Sequence, residues 1–137
     1  MSRLSFLSAA REPTRLEVRG PVDALQPEAG ERVLPLGPGR SLLVDAGPGA
    51  RERLATDGYL AYDMTAALVL LEFDGEDLLH RLTDLVPEQL PAVGSVARGT
   101  PALIEPLDGS RFRLYVPREL GEYVAAVISD LEQGLGR

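Results

Sequence analysis

His80 is the only imidazole in the chain, and no cysteine occurs. Those two counts remove multi-histidine metal centres, thiolate nucleophiles, thiolate metal sites and disulfides together. His80 follows Glu76 by one helical turn, so the two could act as general base and orienting carboxylate, or stand as surface neighbours. Carboxylates gather at Glu72, Asp74, Glu76 and Asp77, and again at Glu119 and Glu122. Acidic side chains in a first helical turn complement the helix dipole, and without histidine or an Asp-x-Asp loop they make no metal site. No catalytic residue and no metal ligand is assigned. Two Gly-Pro-Gly triplets, Gly37–Gly39 and Gly47–Gly49, invite a phosphate-cradle reading. Neither has the third glycine of GxGxxG or the Lys-Ser/Thr of a P-loop, and each proline deletes an amide, so they read as tight turns. Asp63 and Thr65 remain as a more specific pair. They either fix local backbone by side-chain hydrogen bonds or contribute to a ligand site.

The elements that must position these residues follow from periodicity. Residues 1–30 carry Pro13, Pro21 and Pro27 with little alternation, which predicts an extended N-terminal arm, either ordered only by a partner or a disordered tail, ahead of a single domain over 31–137. Arg32 to Asp45 reads as a hairpin around Gly37–Gly39. A one-to-two-turn helix follows, which Gly58 can end in a left-handed conformation. Leu68 to Phe73 is apolar on both alternating faces, the mark of a central strand covered on both sides. Leu78, Leu79, Leu82, Leu85 and Val86 fall on one helical stripe that Pro87 ends. A strand pair around Arg98 to Pro101 comes next, then an Asp108-Gly109 hairpin turn. In the strand that follows, Phe112, Leu114 and Val116 point one way and Arg111, Arg113 and Tyr115 the other. A final helix from about Arg118 to Glu132 buries Leu120, Val124, Val127, Ile128 and Leu131. This order predicts an α+β fold: a mixed, mostly antiparallel sheet with two main helices on one face. The opposite face would then present Leu68, Leu70, Arg111, Arg113 and Tyr115, a composition suited to a partner interface.

Composition narrows the function classes. With 137 residues, 45% hydrophobic and 26% charged, the chain can bury a core. Its net charge is −7 and all 14 basic residues are arginine, without a cluster able to overcome the acidic field, so nucleic acid is not an expected partner. The longest apolar run, Ala66 to Leu71, is far short of the ~20 residues that span a bilayer. MSRLSFLSAA is too brief and polar for a signal-peptide core. A cytoplasmic protein is expected.

The stretch from Ala61 to Arg118 runs from the Asp-x-Thr piece through the apolar strand, the Asp74-Gly75 turn, the amphipathic helix and Gly94 to a hairpin and a second strand. That order resembles the folate-binding fold of the glycine-cleavage T-protein (aminomethyltransferase) family. Within that family it resembles the small gamma subunit of heterotetrameric sarcosine oxidases. The resemblance extends over roughly Val33 to Leu131 and implies a T-protein-like, folate-binding-domain-like fold. It also marks Asp63 and Thr65 as cofactor-binding candidates, although Met64 and Ala66 depart from the family's usual small aliphatic and His or Arg. Catalytic T-proteins carry acidic residues ahead of the strand matching Leu103-Ile104, and one of them handles the folate amine; here Pro101-Ala102 stands there. The resemblance thus implies a non-catalytic accessory, gamma-like subunit of a heteromeric flavoenzyme that oxidatively demethylates N-methyl amines. No cofactor is expected on this chain, while FAD, FMN, NAD and tetrahydrofolate are implied on larger flavoprotein subunits. The alternative is a free-standing domain that binds a small, folate-like molecule.

Overall fold

The computed structural model describes residues 4–6 and 14–135. In chain order the elements are β1 (Leu4–Phe6), β2 (Arg15–Arg19), β3 (Arg32–Gly37), β4 (Arg40–Val44), α1 (Ala50–Thr56), β5 (Leu60–Asp63), β6 (Leu68–Asp74), α2 (Glu76–Leu82), β7 (Ala92–Val96), β8 (Thr100–Pro106), β9 (Arg111–Pro117) and α3 (Gly121–Leu135). Two compact units result, one from 4–6 with 67–135 and the other from 14–66. Both sheets are antiparallel, which bears out the α+β class. Among the described residues no helix is long and apolar enough to cross a membrane.

The larger unit holds a sheet in the order β1-β6-β9-β8-β7. Alternation along β6 sends Val69, Leu71 and Phe73 to one face, where register sets them against Val116, Leu114 and Phe112 of β9. The Phe73 and Phe112 rings lie 5.5 Å apart, tilted by 31°. Leu78, Leu79 and Leu82 of α2, with Val124, Ala125 and Ile128 of α3, close over this face. The two helices cover one side as the sequence predicts. Each fully buried leucine contributes roughly 1.5–3 kcal/mol, so this layer dominates the unit's stability.

α2 is shorter than its stripe predicts. It stops at Leu82, and Thr83 turns extended with φ −145° and ψ 160°. Thr83 is buried, and its Oγ1 accepts from the Leu85 amide at 3.4 Å. Pro87 also disfavours helix at Val86, which is extended at φ −103°, ψ 159°. Leu85 therefore packs beside Gly94 instead of extending the stripe, and Val86 is exposed.

The smaller unit is a sheet in the order β3-β4-β2-β5 with α1 beside it. Its core joins Leu16, Val18, Leu43, Ala50, Leu54 and Tyr59. The β3–β4 hairpin turns at Gly37–Gly39, and Gly58, at φ 91°, ends α1 as the sequence predicts. Glu31 ties this unit together: its carboxylate accepts from the amides of Glu28 (2.9 Å) and Gly47 (3.1 Å) and from Arg53 of α1 (2.7 Å). Burial pushes the Glu31 carboxyl up, yet these donors hold it below the usual carboxylate range.

The structure differs from the expected arm over 1–30 and single domain over 31–137. β1 pairs along β6, and β2 lies between β4 and β5 with Arg15, Leu16, Glu17 and Val18 buried. Residues 1–3 and 7–13 of that stretch lie outside the described residues. The prolines and glycines flank β2 rather than interrupt it, so five alternating residues, Arg15–Arg19, suffice for a central strand.

Two glycines of α3 give opposite expectations. A methyl placed on Gly121 would lie 2.6 Å from Val69 Cγ1, a stiff β-branched neighbour, whereas one on Gly134 would meet nothing within 4 Å. Gly121→Ala should destabilise by about 1–3 kcal/mol, and Gly134→Ala should stabilise by roughly 0.5–1 kcal/mol, in urea unfolding. Equal responses would show that α3 does not approach β6 as described.

Candidate functional site

Asp63 ends β5, an edge strand, and Thr65 follows it in the loop before β6. Asp63 Oδ1 accepts from the Thr65 amide at 2.9 Å, and Thr65 Oγ1 accepts from the Arg15 amide at 3.0 Å. Arg15 also donates from Nη2 to the Thr65 carbonyl, and the Met64 amide donates to the Arg15 carbonyl at 2.8 Å. The amide and hydroxyl of Thr65 hold the Asp63 carboxyl below its ordinary range, with Arg51 and Arg15 acting the same way. Whatever stability this gives is present at neutral pH and lost as pH falls through the depressed value. The pair acts as a backbone clamp onto β2. Asp63 is exposed and Thr65 is already engaged, so the geometry is a poor cradle for a folate-sized group.

The residues expected at a partner face sit in a different environment. Leu70 is 0% and Tyr115 2% exposed within this chain, which removes them as free docking contacts. Leu68 is half-buried and Arg111 exposed. Register explains the arrangement. Arg113 of β9 lies between Glu72 of β6 and Glu105 of β8, and Tyr115 lies between Leu70 and Leu103. Arg113 donates to Glu72 Oε2 from Nε (3.0 Å) and Nη2 (2.8 Å), while Arg111 reaches Glu72 Oε1 at 2.6 Å. Tyr115 donates to Glu105 at 2.7 Å. Glu72 and Glu105 are both buried, and each negative charge is met by a guanidinium or a phenol. The signal was present in the sequence: an acid on the apolar strand β6 and arginines two apart on β9 can meet only across adjacent strands.

His80 lies elsewhere. It lines a cleft of about 210 Å³ between the end of α2 and the β7–β8 turn, with Arg81, Thr83, Asp84, Ser95 and Arg98. Glu76 is not among the residues lining it. Ala97 and Arg98 both take left-handed backbone, φ 40° and 61°, followed by Gly99 at 86°. Non-glycine residues held there cost on the order of 1–3 kcal/mol each. Thr100 Oγ1 fixes the turn by donating to the Ala97 carbonyl at 3.1 Å. Sequence reasoning missed Asp84, Ser95 and Arg98 because helix and hairpin are far apart along the chain. No group of three or more His, Asp or Glu among the described residues could hold a metal ion.

Burial, followed by the charge of Glu105 and the hydrogen bond to it, raises the Tyr115 phenol to about 12, with Arg113 acting in the opposite sense. Stability owed to the protonated phenol is complete below the ordinary tyrosine value of about 10 and is lost as pH rises from there through the folded value. A phenolate absorbance titration should show one of the four tyrosines ionising near pH 12, a step that Tyr115→Phe removes. Tyr115→Phe should also cost about 1–3 kcal/mol by leaving Glu105 short of a donor. An unchanged titration would place the phenol outside the network.

No protein-family model matches the chain, and no curated protein matches it. Among solved structures, its fold matches a chain of the heterotetrameric sarcosine oxidase from Corynebacterium sp. U-96, solved in complex with pyrrole 2-carboxylate. The TM-score is 0.76 at 18% identity, covering 100% of this chain and 88% of the other. At that identity the likeness is one of fold, and the α+β arrangement expected from the resemblance is the one shared with this sarcosine oxidase chain.

Proposed function

We propose that this chain is a non-catalytic, gamma-like subunit of a heteromeric, sarcosine oxidase-like flavoenzyme that oxidatively demethylates N-methyl amines. The observation that carries the reading is the fold match along the entire chain to a chain of a heterotetrameric enzyme. The likeness is not confined to one shared module.

The chemistry of the chain supports the accessory role. At the start of β8, where a catalytic T-protein would offer acidic side chains, Pro101 faces solvent and Ala102 is buried against the core. Neither can accept a proton or hold an amine. The buried carboxylates Glu72 and Glu105 are committed to Arg113, Arg111 and Tyr115. FAD, FMN, NAD and tetrahydrofolate would then reside on larger flavoprotein subunits, and this chain would brace them. Of the expected interface, Arg111 is exposed and Leu68 and Arg113 are partly exposed, so these three remain accessible to such a partner.

The test is to express a tagged copy in the source organism and assay the purified material for flavin absorbance and for sarcosine-dependent oxygen consumption. Co-purification of a flavoprotein with both signals is the expected result, and the chain produced alone should be colourless and devoid of aminomethyltransferase turnover. A tagged chain that purifies alone and binds tetrahydrofolate would instead establish the free-standing binder.

A further inference from the structure

The cleft beside His80 is not used by the subunit reading, and its charge pattern is unusual for this molecule. Arg81 and Arg98 both line it, and among the described residues neither side chain forms a hydrogen bond or ion pair. Asp84 is the only carboxylate in the lining and forms a salt bridge with neither arginine. The lining thus carries a net positive charge on a chain whose overall charge is −7. Elsewhere the described acidic side chains readily capture arginine: Glu72, Glu105, Glu17 and Glu31 all do so. Leaving two guanidinium groups uncompensated around one concavity concentrates positive potential there.

The backbone points the same way. Strained left-handed geometry at Ala97 and Arg98 places Arg98 at the cleft, and Thr100 locks that turn. Strain of this kind persists where surrounding structure over-determines it, and it concentrates at ligand clamps. The exposed hydroxyl of Ser95 supplies a further donor on the same wall. A volume of about 210 Å³ lies below the roughly 300–1,000 Å³ of pockets for larger organic ligands, so it suits a single small group.

We propose that this cleft binds a small oxyanion, phosphate or carboxylate, through Arg81 and Arg98, with Ser95 as an additional donor. Planar guanidinium forks match both chemistries, and Asp84 limits the affinity to a weak, exchangeable range. The assignment does not depend on the subunit reading.

The experiment titrates the full chain with inorganic phosphate and, separately, with succinate, using chloride to hold ionic strength constant. Amide resonances and the single imidazole are followed by NMR. Saturable shifts confined to Thr83–Asp84, Ser95–Gly99 and His80, weakened about five-fold by Arg98→Gln or Arg81→Gln, are expected. Saturation by one probe alone identifies its chemistry as the preferred one. Should Arg98→Gln disturb the turn in a thermal melt, Arg81→Gln on the exposed helix end decides. Shifts that never saturate, that chloride reproduces, or that ignore the decisive substitution overturn the proposal.

Discussion

A charged ladder across three strands sets the geometry of the larger unit. Glu72, Arg113 and Glu105 face one another in register on β6, β9 and β8, all three directed away from the helices. A slip of one residue in either pairing would turn Arg113 into the layer occupied by Leu71, Leu114 and Ile104, leaving a buried cation without a partner. Apolar residues alone tolerate such slips better, because leucine for leucine is nearly neutral. The ladder adds little net attraction after desolvation, but it makes the wrong registers costly. The position of the Phe73–Phe112 contact, and of both helices above it, follows from that choice.

The smaller unit solves a similar problem with one carboxylate. Glu31 collects two backbone amides and Arg53, so the turn at Gly47 and the helix α1 are held by a side chain only 2% exposed. Glu17 does the corresponding work on β2, where Arg19 at 2.6 Å and Arg40 at 3.2 Å overcome the penalty of burial and keep its carboxyl below the usual range. In both units buried acids are met by arginine. The sequence contains no lysine, and the planar fork of arginine lets one cation serve two acceptors, as Arg113 does.

Legibility in the sequence divided along the range of the interactions. Elements governed by local periodicity were readable: the two-faced strand β6, the α3 stripe of Val124 and Ile128, the Asp108-Gly109 turn and the Gly58 stop all stand where the pattern puts them. What failed depended on distant partners. Tyr115 looked like an interface aromatic because alternation opposes it to Leu114, and nothing local reveals that Glu105 would satisfy its hydroxyl. Likewise β2 was hidden among prolines, since its burial comes from pairing with β4 and β5. Of the candidate site, Asp63 and Thr65 were identified, and their contact with Arg15, fifty residues away, is what separates a clamp from a pocket.

The same distinction bears on where a ligand could act. A polar cluster whose donors and acceptors are already matched has little free energy to offer a newcomer, since any new hydrogen bond must first break an existing one. Glu72, Glu105, Arg113 and Tyr115 are of that kind. Around His80 the side chains of Arg81 and Arg98 have no hydrogen-bond or ion-pair partner among the described residues, and filling a preset concavity costs less than rearranging a buried network. Recognition chemistry on this chain is therefore more favourably located at the strained β7–β8 turn than at the charged ladder, although the ladder holds the stronger individual interactions.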